Sequence, residues 1–416
     1  MNTQQQRDED NDDGVITTVG NSNRDNDDGA ITTVGNSNRE SIPLDLTIEI
    51  LKRLPAESIF RFRCVSKQWC SITRSRFFID SFMALTLSRP RLLVCCGIKH
   101  WYITNSNENP LICYSTPLPP HQESNNLSLV LSKHDMPDLR IISPDQLMES
   151  CNSVRGILCI SVLGQQSRHF FICNPTTRQV LRIPNEYQRC YMCLGYDSRK
   201  DQYKILRRNA SHDDSVEHSV CTLERGQIQS SSFSSWRHVE SNILYRYEYS
   251  DVVCINGVVY YAAWKKTSST SFVIVSFDVG FERLLLIEAP KEEVKLDYRL
   301  KLINYKGKLA LFSVKNDYSY ILCVLDDIKK QIWLTKSTGV LCPSFCDLSW
   351  NFLVKTCDTD AEEICFVSPS NASELFFYDL KKNNVRRRVT VEGITEEFRR
   401  CCFFRSCDHV DNIVSF

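Results

Sequence analysis

Asn256-Gly257-Val-Val-Tyr-Tyr261, followed by Phe272-Val-Ile-Val-Ser-Phe-Asp278 and then Leu284-Leu-Leu-Ile287, reads as three short strands. Each run is rich in β-branched and aromatic residues and is bounded by turn formers. The same order recurs. Lys306-Gly307-Lys-Leu-Ala-Leu311 leads to Tyr320-Ile-Leu-Cys-Val-Leu-Asp326 and Ile332-Trp-Leu334. Arg155-Gly156-Ile-Leu-Cys-Ile160 leads to Phe170-Phe-Ile-Cys-Asn174 and Val180-Leu-Arg-Ile183. Glu363-Ile-Cys-Phe-Val367 leads to Leu375-Phe-Phe-Tyr-Asp379 and Val385–Val391, without the leading glycine.

Asp278, Asp326 and Asp379 are 48 and 53 residues apart, and Asn174 lies 104 before Asp278, about two units. A period near 50 is the spacing of kelch-type propeller blades. Both faces of the strands are apolar, as stacked blades require. Residues 92–416 are therefore expected to form a divergent β-propeller of about six blades. The Gly-Gly doublet of kelch repeats and the Trp-Asp pair of WD40 blades are missing, and a β-sandwich is the alternative architecture.

Outside this region the composition changes twice. Residues 1–40 hold 9 acidic and 3 basic residues and a tandem 15-residue repeat, DNDDGVITTVGNSNR at Asp10–Arg24 and DNDDGAITTVGNSNR at Asp25–Arg39. So polar a segment has too little apolar mass to fold and reads as a disordered acidic tail. A calcium-loop alignment fails, because Gly20 falls where the closing Glu belongs.

Residues 41–91 hold 9 basic and 4 acidic residues and are dense in Leu, Ile and Phe. Pro43 and Pro55 bracket a first helix, with Leu44, Leu46, Ile48, Ile50, Leu51 and Leu54 over an apolar arc of about 200°. A second helix is expected over Ala56–Arg63 and a third after the N-cap candidate Ser66. Three short helices make a marginal core and leave apolar surface for something else to cover.

At these residues a resemblance becomes specific. Ile42-Pro-Leu-Asp-Leu-Thr-Ile-Glu-Ile-Leu-Lys-Arg-Leu-Pro55, Ile59-Phe-Arg-Phe-Arg-Cys-Val-Ser-Lys-Gln-Trp69, Ile72 and Phe77-Phe-Ile79 resemble a plant F-box. Asn152-Ser-Val-Arg-Gly-Ile-Leu158, Ile172-Cys-Asn-Pro-Thr-Thr-Arg178, Leu194-Gly-Tyr-Asp197, Asp201-Gln-Tyr-Lys-Ile205 and Asp408-His-Val-Asp-Asn-Ile-Val414 resemble the F-box associated domain. The resemblance implies the substrate-recognition subunit of a Skp–cullin–F-box ubiquitin ligase, a non-catalytic adaptor that binds Skp and, through it, a cullin. The β domain would hold an unknown target protein. The docking residues it implies are Pro43, Leu44, Ile50, Leu51, Leu54, Pro55, Val65 and Trp69. Val65 and Trp69 serve either docking or the helical core. The alternative is an F-box protein that acts outside a ligase, sequestering a partner or sensing a ligand.

The remaining chemistry argues for no catalytic, cofactor or metal site. There is no G-x-S-x-G, H-E-x-x-H or Walker loop. Cys190-Tyr-Met-Cys193 lacks a second ligand pair at zinc spacing, and Cys401-Cys402 with Cys407 and His409 suits closing strands better than a metal. A copper oxidase on a propeller would need clustered His, Tyr and Cys ligands that do not stand out. Lys381-Lys382 with Arg386-Arg-Arg388 reads as a solvated strand–turn–strand face. With 50 Lys+Arg against 50 Asp+Glu the chain carries no net charge, which argues against nucleic-acid binding. No apolar run reaches membrane-spanning length, so no membrane partner is expected. The 20 cysteines, with no leader sequence visible, point to reduced thiols in the cytoplasm or nucleus.

Overall fold

Arg155-Gly156, Asn256-Gly257 and Lys306-Gly307 all have positive φ at both positions, 49° and 82°, 50° and 81°, and 51° and 80°. Each pair is the two-residue turn of a hairpin, joining Val154 to Ile157, Ile255 to Val258 and Tyr305 to Lys308. Two successive left-handed residues give the mirror-type turn whose twist matches that of paired strands, and glycine takes the second place without strain. The glycines that mark the sequence repeat are therefore hairpin turns in a computed structural model. It describes residues 42–414 apart from a set of intervals, the longest being 99–108, 118–126, 224–235, 342–353 and 393–401. The acidic tail, Cys401 and the serine-rich 229–235 stretch lie outside the described residues.

The Asp/Asn positions of the repeat form the second kind of turn. Asn174 Oδ1 accepts from the amides of Thr176 and Thr177, at 3.0 and 3.3 Å. Asp278 Oδ1 does the same for Gly280 and Phe281, and Asp379 Oδ1 for Lys381 and Lys382. Four residues on, Arg178, Glu282 and Asn383 take positive φ and close the loop. The short acceptor side chain satisfies the turn's amides before the strand resumes. One repeat position needs correction. The turn residue of the third unit is Asp327, which accepts from Lys329 and Lys330, not Asp326, which pairs with Lys308 at 2.6 Å. A bulge between Leu325 and Asp327 shifts the turn by one residue.

Six antiparallel sheets result. Blade 2 runs Leu147–Val154, Ile157–Leu163, Arg168–Asn174 and Gln179–Ile183. Blade 3 runs Cys190–Asp197, Gln202–Ala210, Val216–Leu223 and Arg237–Val239. Blade 4 comprises Tyr245–Arg246 and Val252–Ile255, then Val258–Lys265, Phe272–Asp278 and Arg283–Glu288. Blade 5 runs Lys301–Tyr305, Lys308–Val314, Ser319–Asp327 and Ile332–Val340. Blade 6 runs Val354–Thr356, Glu363–Val367, Glu374–Asp379 and Asn384–Glu392, and Leu127–Val130 adds to its edge in parallel. Blade 1 is built from both ends of the domain. Its order is Cys402–His409, Arg91–Ile98, Asn109–Pro117, Ser132–His134. The architecture is a six-bladed β-propeller, which excludes the sandwich.

The core lies between blades. Cys190, Met192 and Leu194 face Cys159, Phe170 and Ile172 of blade 2, while Cys193 faces Val259, Tyr261 and Val275 of blade 4. A strand buried on both faces has no polar alternate positions, hence the continuous apolar runs. Inter-blade polar clasps supplement this packing. Asn152 Nδ2 donates to Leu194 O at 3.0 Å, and Leu194 N donates to Asn152 Oδ1 at 3.1 Å. Buried Lys204 donates to Val279 O at 2.8 Å and pairs with Glu282 at 2.9 Å.

N-terminal to the blades stand four helices: α1 (Leu44–Lys52), α2 (Ala56–Arg63), α3 (Lys67–Arg74) and α4 (Arg76–Leu87). From Asp45 onward the described helices and blades form one compact unit. Helix α1 ends at Lys52, within the limit that Pro55 sets, since proline disfavours helical backbone before it and offers no N–H to Leu51 O. Pro55 is also the N-cap of α2, with φ −56°. The fourth helix corrects the three-helix expectation. Ser75 Oγ accepts from Phe78 N at 3.3 Å and starts it, just as Ser66 Oγ accepts from Trp69 N at 3.1 Å and starts α3.

Candidate adaptor-docking surface

The helical module is built around Leu51, Ala56, Ile59, Phe78 and Phe82, all buried. Ile48, Leu54, Phe60, Phe62, Trp69, Ile72 and Ile79 are half-buried against them. The Trp69 and Phe62 rings meet edge to face at 4.8 Å. Thr73, fully buried on α3, ties α3 to α2 by accepting from Arg63 Nε at 3.4 Å.

That core leaves other large side chains outside it. Leu44, Leu46 and Ile50 of α1 are 55%, 52% and 53% exposed, and Val65 and Phe77 are 65% and 67% exposed. Holding such residues in water costs free energy that a partner surface would recover, at about 25 cal/mol per Å². Of the residues implied by the F-box resemblance, Pro43, Leu44, Ile50, Pro55 and Val65 are exposed. Leu51 is 1% exposed and turned inward, and Leu54 and Trp69 straddle core and surface. The structure therefore places Val65 on the surface and Trp69 at the edge of the core. Leu46 and Phe77 are exposed members that the sequence reading did not select. Leu46 was legible within the apolar arc, whereas Phe77 depends on the start of α4.

The module is joined to the propeller by the end of the chain. Ile413 is 1% exposed and sits in the same apolar cluster as Leu51 and Phe78. Arg63 Nη2 donates to Ile413 O at 3.5 Å. On the propeller side, Asn412 is fully buried, and its Nδ2 donates to Arg155 O at 2.7 Å and to Tyr203 Oη at 3.0 Å. Asn412 N donates to Thr176 Oγ1 at 3.1 Å. Gly156 makes room: a Cβ there would lie 2.2 Å from Val410 O. An ion pair between Arg76 and Asp201, 3.3 Å, adds a second tie from α4 to blade 3. Residues from four of the quoted associated-domain signatures thus converge on this joint.

Possible chemistry elsewhere resolves into structure. Ser115 Oγ and His134 Nε2 are 2.7 Å apart, a nucleophile–base distance, but both side chains are buried. Arg91 also donates to the Ser115 oxygen, through Nε at 3.1 Å and Nη2 at 3.0 Å. Burial lowers the pKa of His134. Cys190 and Cys193 are buried, and desolvation pushes the Cys190 thiol up to about 12 against the pull of Arg207, Arg208 and Arg168. Such thiols are neutral and unreactive at physiological pH. Among the described residues no group of His, Cys, Asp and Glu could hold a metal ion. Arg386 pairs with Glu363 at 2.8 Å and Arg388 lies over Phe376, so part of the basic cluster serves blade 6. Among the described residues no helix is long and apolar enough to cross a membrane.

Comparisons with known proteins place both parts. The F-box domain family matches residues 40–80, and the F-box associated beta propeller domain family matches residues 100–410. Relatives of Arabidopsis thaliana include F-box protein At1g30790, 36% identical over 407 residues and covering 90% of this chain and 98% of its own length. F-box protein DOR is 33% identical over 393 residues, covering 90% of this chain and 94% of its own length. Among solved structures, TolB from Acinetobacter baumannii is similar at 10% identity over 80% of this chain and 73% of its own, with a TM-score of 0.41.

Proposed function

This chain belongs to the plant family of F-box proteins that carry an F-box associated β-propeller domain, and from that premise we propose that it is the substrate-recognition subunit of a Skp–cullin–F-box ubiquitin ligase. Its F-box binds a Skp adaptor, which connects it to a cullin. Its propeller holds a target protein. The chain performs no chemistry itself and acts by proximity, raising the target's effective concentration beside the ubiquitin-charged enzyme. It works in the cytoplasm or nucleus. The observation that carries this reading is the buried F-box core at Leu51, Ile59, Phe78 and Phe82, outside which Leu46, Ile50 and Val65 stay exposed. A small helical module with a buried interior and an apolar exterior is built to be covered.

Of the implied docking residues, Pro43, Leu44, Ile50, Pro55 and Val65 contact the adaptor directly. Leu51 holds α1 from behind, and Leu54 and Trp69 do both. The test is co-purification of the full chain with a Skp adaptor and a cullin, with Ile50→Asp plus Val65→Asp as the disrupted form. Wild-type protein that captures no Skp adaptor would sink the proposal. Capture of Skp without cullin-dependent ubiquitin transfer would instead favour a sequestering role.

A further inference from the structure

The F-box does not close on its own residues. Among the described residues, every member of its apolar cluster lies between Ile48 and Phe82 except one, Ile413. That side chain is delivered by a segment whose path is set by the propeller. Asn174 Nδ2 donates to Asn412 O and Val414 O at 2.9 and 2.8 Å, and Val414 N donates to Asn412 Oδ1 at 2.9 Å. Immediately before this segment, Cys402–His409 is the strand that closes the ring, paired along its length with Arg91–Ile98. Its last residue, His409, lies opposite Arg91, the first strand residue after the helices. The chain therefore leaves the F-box and returns to it at one place, directly after the closing strand.

We infer that Ile413 is a positioning residue that completes the F-box, so that adaptor binding is coupled to closure of the propeller ring. A helical module of about 50 residues has a marginal core, so the loss of one fully buried aliphatic side chain shifts its folding equilibrium appreciably. A chain lacking its last residues, or with an open ring, would present the docking helices in a loosened form. The polar contacts of Asn412 add orientation, because they hold the delivering segment to the turns at Arg155 and Thr176. This inference rests on the adaptor role proposed above for its consequence, but not for its physical basis.

Hydrogen exchange of the full chain, compared with Skp-adaptor affinity, tests it. Ile413→Ala should speed exchange at Ile59, Phe78 and Phe82 at least tenfold, leave Ile157–Leu163 unchanged, and weaken Skp binding at least tenfold. Ile413→Val should retain most of both properties. Unchanged exchange in α2 and α4 of Ile413→Ala would overturn the coupling. So would equal loosening of Ile157–Leu163, which would make the segment a propeller plug only. If wild-type protein binds no Skp adaptor, the adaptor reading fails, while the exchange comparison still decides whether Ile413 completes the F-box.

Discussion

Asn174 donates one side-chain amide to two backbone oxygens at the end of the chain, those of Asn412 and Val414, while its own Oδ1 caps the turn at Thr176 and Thr177. One buried residue therefore serves a blade turn and the joint beneath the F-box. Asn174→Ala removes both roles and leaves buried carbonyls to be desolvated unpaired, so a loss of about 2–4 kcal/mol is expected. Asn174→Asp keeps the turn but sets a carboxylate against two carbonyls, and should cost at least as much. Equilibrium denaturation of both variants checks this, and a loss under 1 kcal/mol in each would contradict the assignment.

The hairpin glycines separate strain from collision. A Cβ at Gly156 would lie 2.2 Å from Val410 O, whereas the nearest atom to one at Gly307 is Asn256 Nδ2 at 3.6 Å. Both have φ near +80°. Gly307→Ala should therefore cost only left-handed strain, about 1–2 kcal/mol. Gly156→Ala should cost clearly more and also disturb the C-terminal segment. Comparable losses in thermal unfolding would refute this distinction.

Surface and core roles in the F-box should divide cleanly. Ile50→Asp and Val65→Asp change exposed positions, so stability should move by no more than about 0.5 kcal/mol while Skp-adaptor affinity falls at least tenfold. Leu51→Ala creates a cavity and should cost about 2–4 kcal/mol of F-box stability. Titration calorimetry beside denaturation reads both quantities. A destabilised Val65→Asp would move Val65 into the core.

His218 supplies a pH signature. Its Nε2 meets Tyr245 Oη at 2.7 Å, and burial, with Arg208 and His238 nearby, lowers its pKa to about 3. The unfolded state, titrating near 6.5, binds more protons between those values, so stability declines as pH falls from about 6.5 toward 3. The contribution of this one group approaches about 1.4 kcal/mol per pH unit within that window. His218→Gln should flatten the slope there, measured by denaturation at pH 7, 6 and 5. An unchanged slope would mean that other groups carry it.

The buried Lys204 offers a further test. Burial raises the pKa of the Glu282 carboxyl, but hydrogen bonds from Lys204 and Arg237 outweigh it and hold it below its ordinary value. Lys204→Ala takes the donor from Val279 O and the cation from buried Asp197, 3.6 Å away, leaves Glu282 with Arg237 alone, and should cost about 3 kcal/mol. Lys204→Ala with Glu282→Gln should recover part of the loss. A purely additive double-mutant cycle would show that the pair is not coupled.

Much of the architecture was legible because it is local. The Gly-led hairpins, the Asn174, Asp278 and Asp379 turns and the two-sided apolar strands each depend on residues within a few positions, and together they announce stacked blades. The Ser66 cap and the apolar arc of α1 likewise expose themselves in the sequence. The turn falls at Asp327 and not Asp326 because of a bulge, which is a property of paired strands and not of either strand alone. Blade 3 was hidden because the acidic turn Asp197 sits in its first hairpin, where blades 2, 4 and 5 carry the glycine pair.

What the sequence determined by itself was the helical module and the strand repeat that follows it, since local backbone preference and side-chain periodicity act over tens of residues. Only the tertiary structure decided where those modules close. Cys402–His409 completes blade 1 beside Arg91–Ile98, Ile413 enters the F-box core, and Asn412 is buried among Arg155, Thr176 and Tyr203. Each of these contacts spans more than 200 residues, so its free energy appears only when the ring has brought the ends together.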